Sequence, residues 1–253
     1  MKKEFLDNQQ YSELAILHYE KIYGRNYISP GGEIITDQFI RTLELRSQMH
    51  VLDIGSGLGG PAFRMAGKSG VFVHGIDLSE NMVRIAKKRL KKEGLNNLVK
   101  FEQGNCLDFQ TESTYNVVHS RDVFLHIKNK LLLFEVIHKA LVSGGHLAFS
   151  DYCLGITKTS PEFGNYINKR KYFLHTFGNY TNLLELSGFT NVYVEDRTDL
   201  FLKTLKQELI NLKSATLKKR EKTSLRQLWQ DKIKRAERGE QGWGWFYCVK
   251  GRQ

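Results

Sequence analysis

The 253-residue sequence predicts an α/β fold with a mainly parallel sheet, N-terminal helices and a helical lid inserted late in the chain. Three observations carry this expectation. Short apolar runs alternate with helical patterns from His50 to Tyr152. The first run, Val51, Leu52 and Ile54, is of the buried parallel-strand kind and leads straight into Gly55, Gly57, Gly59 and Gly60. Asp77 closes the second run, 22 residues after Gly55, where a carboxylate meets ribose hydroxyls in dinucleotide folds.

The elements follow in order. The first 45 residues are helical, broken by NYISPGG at 26–32. Leu14, Leu17 and Ile22 offer an apolar stripe, Gly24 ends that helix, and Pro30-Gly31-Gly32 marks a tight loop before a helix from Ile34 to Leu45. Pro61 suits the first turn of the helix after the glycines. Val71–Ile76 is the second strand, and Ser79 caps a helix from Glu80 to about Glu93. Val99–Phe101, Asn116–His119 and His146–Phe149 are further strands, with a helix from Asn129 to Val142 before the turn Ser143-Gly144-Gly145. Between Cys153 and Gly178 an aromatic, basic stretch lies past a strand's carboxyl end, where open α/β sheets bind ligands. Val192–Val194 is a late strand. Leu202, Leu205, Leu209 and Leu212 mark one amphipathic helix, and Leu225, Leu228, Trp229 and Ile233 a second. Trp245–Val249 returns to the sheet. One domain over 1–253 is expected, with a helical cap at about 1–47, a core at 48–152 and a lid with C-terminal completion at 153–253.

Composition narrows the class. Apolar residues make up 41 %, enough for a sizeable core. Cys106, Cys153 and Cys248 are odd in number and form no CxxC, which argues for a reducing compartment without disulfides or structural zinc. MKKEFLDNQQ has no apolar stretch after its lysines, and nothing approaches the roughly eighteen apolar residues of a membrane span. A soluble cytoplasmic protein is expected. The net charge is +11, and residues 203–238 hold twelve Lys or Arg against four Asp or Glu. That segment is expected to be the solvated face of two helices; the alternative is contact with RNA or anionic lipid.

Gly55-x-Gly57-x-x-Gly60 also satisfies the dehydrogenase fingerprint, so the cofactor turns on Asp53. A pyrophosphate on that turn would face a like charge. S-adenosylmethionine, with an ammonium, a sulfonium and a ribose but no phosphate, gains from the same carboxylate. VLDIGSGLGG accordingly resembles the first motif of the Rossmann-like class I methyltransferases.

Beyond that motif, the chain resembles the phosphoethanolamine N-methyltransferases over nearly its whole length. The resemblance rests on QYSELAILHYEKIYGRNYISPGG at 10–32, HGIDLSENM at 74–82, HSRDVFLHI at 119–127, SDYC at 150–153, YINKRKY at 166–172 and WGWF at 243–246. It implies a metal-free enzyme methylating phosphoethanolamine, or its mono- and dimethyl forms, toward phosphocholine. A monomer with a small-molecule substrate, without nucleic-acid or stable membrane partners, is expected. RNA or the phosphatidylethanolamine head group is the alternative acceptor.

Methyl transfer from a sulfonium needs a free nitrogen lone pair, and a primary alkylamine with a pKa of roughly 10 is protonated at neutral pH. A base must therefore sit beside the amine. His126, four residues past Asp122 and just beyond a strand end, is the candidate; the other reading is a satisfied histidine at a helix N-terminus. The resemblance makes Tyr11 its partner and assigns Asp122 and Gln10 to the ammonium, although Asp122 could instead cap a turn. Arg170 can grip phosphate through paired hydrogen bonds. The resemblance adds Tyr166 and Tyr172 to it, joined by Tyr19, Tyr152 and the distant Lys232. Tyr166 and Arg170 share a helical face, so the helix must bend or end before Tyr172. For the cofactor, Gly55 approaches the methionine part and Asp77 the ribose. Ile28 and Ser29 cover it, Leu78 packs on adenine, and Arg121 joins these contacts. Asn105 and Cys106 stand at the third strand's end. The family usually has an acid where Asn105 sits, and Asn105 can still accept through its amide oxygen.

Overall fold

A computed structural model of the chain describes residues 7–8 and 11–251. Seven strands form one sheet: β1 (His50–Ile54), β2 (Phe72–Asp77), β3 (Val99–Gln103), β4 (Tyr115–Arg121), β5 (Leu141–Leu154), β6 (Phe189–Asp196) and β7 (Gln241–Lys250). Their order is β3-β2-β1-β4-β5-β7-β6. The first five pair in parallel, and β7 runs antiparallel between β5 and β6. The order reverses between β1 and β4, which opens a crevice at their carboxyl ends.

Nine α-helices among the described residues cover the sheet: α1 (Glu13–Tyr23), α2 (Gly32–Arg41), α3 (Gly60–Ser69), α4 (Glu80–Glu93), α5 (Lys130–Ala140), α6 (Pro161–Arg170), α7 (Phe177–Leu186), α8 (Thr198–Ser214) and α9 (Lys219–Glu237). Side chains alternate across each strand, so β1 feeds two cores. Val51 joins Ile35, Phe39 and Phe63 on one face, while Leu52 and Ile54 join Phe134 and Phe149 on the other. Such two-sided burial explains why β1 is apolar at consecutive positions, Val51 and Leu52, and again at Ile54 after Asp53. Ser79 caps α4 as expected, accepting from Met82 N at 3.2 Å.

Three expectations shift. The stripe on α1 is not Leu14 and Leu17, which are 60 % and 55 % exposed, but Ile16, Ile22 and Tyr23. Tyr23 faces inward, where Trp229 of α9 packs against it at a tilt, ring centroids 5.5 Å apart. The glycines after α5 are not a turn before a strand. β5 begins at Leu141, directly after the helix, and Ser143-Gly144-Gly145 lies within it as a bulge. Tyr115 pairs with Leu141 but Val117 with His146, so extra β5 residues loop out, and Gly144 at φ +75° takes the strain. Finally, residues 203–238 form α8 and α9, with Leu205, Leu212, Leu225, Trp229 and Ile233 buried. Arg235 is buried with them, so not every cation of this segment faces solvent. No helix among the described residues is long and apolar enough to cross a membrane.

The approach of α1 to the start of α2 leaves no room for a side chain at Gly32. Its φ is +48°, and an added Cβ would fall 1.9 Å from the Tyr23 carbonyl oxygen. Gly32→Ala should therefore lower stability by about 2–4 kcal/mol in urea unfolding. Gly67→Ala, in open space on α3, should raise it by about 0.5–1 kcal/mol.

Candidate active site

The turn after β1 closes on β2 through backbone alone: Gly55 N and Ser56 N donate to the Ile76 carbonyl at 2.8 and 3.1 Å. Gly55 and Gly57 have φ of +70° and +52°, and a Cβ on Gly55 would lie 2.2 Å from Val123 Cγ2. Asp77 locks the same turn, accepting from Gly57 N at 2.9 Å and Ser79 N at 2.8 Å. Desolvation pushes its carboxyl up to about 6 against those two donors. Each oxygen keeps a further lone pair with which to accept from a ligand hydroxyl.

A cavity of about 350 Å³ opens above this turn. It is lined by every site residue read from the sequence except Gln10, which lies outside the described residues. Ile28, Ser29, Asp53, Gly55, Asp77, Leu78, Asn105, Cys106 and Arg121 line it around the glycine turn; Tyr11, Tyr19, Asp122, His126, Tyr152, Tyr166, Arg170, Tyr172 and Lys232 complete the lining.

At the glycine turn, Asp53 is buried and its Oδ1 lies 2.7 Å from His119 Nδ1, while its Oδ2 has no hydrogen-bond partner among the described residues. That orphaned carboxylate oxygen, beside glycines that leave room for a ligand, fits a cationic amino-acid end and not a pyrophosphate. The Arg121 guanidinium is spent on the loop above: it donates to Pro30 O at 2.9 Å and Thr36 Oγ1 at 2.6 Å. Its role there is to hold the segment that carries Ile28 and Ser29. Asn105 Oδ1 accepts from Leu107 N at 3.2 Å, keeping one lone pair. Burial pushes the Cys106 thiol up to about 12, so it presents a neutral wall.

Toward the acceptor end, Asp122 leaves β4 with φ +57°. Trp243 Nε1 donates to its Oδ1 at 2.7 Å and Ser150 Oγ at 3.0 Å. The following turn carries His126, whose Nε2 lies 3.4 Å from the Tyr11 hydroxyl. Burial, with the Arg170 charge second, pushes the His126 imidazole down to about 3. It is therefore uncharged at neutral pH, and its burial makes it a weak proton acceptor as it stands. The helix α6 does end before Tyr172: Lys171 adopts φ +55°, and Phe173 N then donates to Leu125 O at 2.7 Å. This return brings the Tyr172 ring within 5.1 Å of His126. Arg170 lies over both Tyr166 and Tyr172, 5.9 and 5.8 Å from their centroids. Lys232 Nζ donates to the Tyr152 hydroxyl at 3.3 Å.

Several contributors escape sequence reasoning. Glu208 sits within the leucine stripe of α8, and that misplaced acid was the available signal. It is buried, accepting from Gly31 N and Trp229 Nε1, each at 2.7 Å, and so ties the loop above the turn to the helix bearing Lys232. Arg235 packs 4.1 Å from the Tyr166 centroid. Trp243 carried a signal only as part of WGWF, and Ser150 only as part of SDYC.

The chain matches the family described as "Methyltransferase domain" over residues 45–228. It is 40 % identical to phosphoethanolamine N-methyltransferase 1 of Zea mays over 98 % of its own length and 50 % of that protein. It thus spans about half the length of the plant relatives it matches. It is 36 % identical to phosphoethanolamine N-methyltransferase of Plasmodium falciparum, covering 98 % of this chain and 96 % of the relative. Its fold superposes with a TM-score of 0.96, at 30 % identity, on Haemonchus contortus phosphoethanolamine N-methyltransferase 2 in complex with phosphomonomethylethanolamine and S-adenosylhomocysteine, over 99 % of this chain and 60 % of that one.

Burial raises the Glu208 carboxyl from 4.5 to about 7 despite its two donors. The folded state thus keeps a proton that the unfolded chain releases, so this group's contribution is fully present below pH 4.5 and lost as pH rises through about 7. Urea unfolding of the wild type and Glu208→Gln across this range should show the wild type losing on the order of 3 kcal/mol relative to the variant.

Proposed function

The chain belongs to the phosphoethanolamine N-methyltransferase family, and from that premise we propose that it transfers methyl groups from S-adenosylmethionine to the amine of phosphoethanolamine or its mono- and dimethyl forms, toward phosphocholine. The observation that carries this reading is one cavity lined both by Asp53 at the glycine turn and by the cations Arg170 and Lys232, with Asp122 and His126 also on its wall. Bound S-adenosylmethionine supplies an electrophilic methyl group on a sulfonium. Asp53, Gly55 and Asp77 would hold its methionine and ribose parts, with Ile28, Ser29, Leu78, Asn105, Cys106 and Arg121 around them.

The protein's residues then have separate tasks. Arg170 and Lys232, helped by the hydroxyls of Tyr19, Tyr152, Tyr166 and Tyr172, hold the substrate phosphate. Asp122 holds the ammonium, joined by Gln10. His126 takes the ammonium proton and shares it with Tyr11, freeing the nitrogen lone pair. The substrate itself adjusts this base: phosphate bound to Arg170 offsets one of the charges that depress the imidazole. Proton removal is therefore less unfavourable once the substrate is seated, although burial, the larger cause, still depresses the imidazole. A small-molecule acceptor suits a recessed cavity of about 350 Å³ better than RNA or a lipid surface.

Incubation with labelled S-adenosylmethionine and each of the three phosphobases should label at least one of them; transfer to none removes the reading. His126→Ala should lower turnover by about 10²–10⁴-fold while calorimetry shows S-adenosylhomocysteine binding retained. Loss of that binding would make the histidine structural. Arg170→Lys, which keeps the charge but not the paired geometry, should raise KM for the phosphobase by about tenfold with a smaller effect on kcat.

A further inference from the structure

Tyr11 stands just before Ser12, the cap of α1, so it lies outside the helix whose start it precedes. The first turn of α4 holds it. Asn81 Nδ2 donates to the Tyr11 carbonyl at 3.1 Å and to the Asp7 carbonyl at 3.3 Å. Carbonyl oxygens only accept, so the amide nitrogen faces them and each of its hydrogens has a partner. Asp7 ties the same segment down a second time, its carboxylate accepting from the Ser79 hydroxyl and from Glu80 N at 3.2 Å. An acid at that helix N-terminus is favoured by the helix dipole. Ser79 in turn donates its N–H to Asp77 at 2.8 Å. The Tyr11 side chain packs against the small cluster of Ile16, Leu58 and Met82, and its hydroxyl lies 3.4 Å from His126 Nε2.

We propose that Asn81 is a positioning residue for the proton relay: by holding the Tyr11 carbonyl it sets the reach of the Tyr11 hydroxyl to His126; this rests on the His126–Tyr11 reading above. Asn81 lies outside the cavity wall, whereas its neighbour Met82 is part of it, so Asn81 acts through Tyr11. The contact it governs is already at the long end of a hydrogen bond. A small shift of the segment would open it, and a misplacement of about 1 Å can cost a reaction up to about 10²-fold. The amide thus fixes the relay from a helix that starts three residues after Asp77.

Asn81→Asp tests this, because it keeps the side chain's shape and suits the first turn of a helix, yet its carboxylate donates to neither carbonyl. With the phosphobase that the wild type methylates, kcat should fall about tenfold. KM for that phosphobase and the calorimetric Kd for S-adenosylhomocysteine should each change less than about threefold. The same substitution in a Tyr11→Phe background should cost less than about twofold more, because the hydroxyl it positions is already gone. Equal losses in the two backgrounds, an unchanged kcat, or a KM or Kd raised as far as kcat falls overturns the proposal. Asn81→Ala, which brings no charge beside Asp7, runs through the same cycle in case Asn81→Asp does not fold. A Tyr11→Phe enzyme with full turnover removes the Tyr11 relay and this inference together. A slowed Tyr11→Phe enzyme beside an Asn81 variant of full turnover removes this inference alone.

Discussion

Both parts of the cavity wall depend on how Asp122 is held. Its side chain is 5 % exposed, and a carboxylate so enclosed costs several kcal/mol unless donors surround it. Those donors come from two other strands, Ser150 on β5 and Trp243 on β7, while its own N–H donates to the Ser150 carbonyl at 2.8 Å. The residue before it, Arg121, grips the loop over the glycine turn. The turn after it carries His126. Pinning this one acid therefore sets the spacing between the loop that covers one side of the cavity and the imidazole on the other. The antiparallel last strand is thus part of the site's frame and not merely an edge of the sheet.

A second buried set stiffens the same turn from the opposite face. Lys130 at the start of α5 donates to the carbonyls of Ile127 at 2.9 Å and Phe173 at 2.5 Å. Its ammonium lies 5.6 Å from the Tyr180 ring, and the Tyr180 hydroxyl donates to Asp151. Burial pushes the Asp151 carboxyl up to about 7 and the Lys130 ammonium down to about 8. One ammonium thus ties the segment after His126 to the segment after Tyr172. Their rings meet because two carbonyls from remote parts of the chain share a single donor.

The core of the fold was legible where local chemistry decides it. The run before Gly55, the left-handed glycines and the Ser79 cap each need particular residues within a few positions, and β1, β2 and α4 followed. Legibility failed where two local patterns compete or where the deciding partner is remote. On α1, Leu14, Leu17 and Ile22 formed the expected stripe, whereas Ile16, Ile22 and Tyr23 are the buried one; Trp229, far along the chain, packs at a tilt against Tyr19 and Tyr23 and so favours the second. Ser143-Gly144-Gly145 could make a turn or a bulge, since both use the same glycines, and pairing with β4 makes it a bulge. The site shows the same division. Motif residues gathered in one cavity as expected, but the His119 partner of Asp53 is 66 positions away and Glu208 meets Gly31 across 177. Such pairings have no local signature.

These separations also order events during folding. Strands β1 and β4, which hold Asp53, the glycine turn and His119, are complete by Arg121. Trp243 must travel back 121 positions to reach Asp122, and β7 must then slot between β5 and β6. Loop closure over such distances is slow, so contacts of this kind form late. The glycine turn and the Asp53–His119 pair can therefore assemble before the donors that enclose Asp122. The cage around Asp122 is thus complete only when β7, a ten-residue strand, has taken its place between its neighbours.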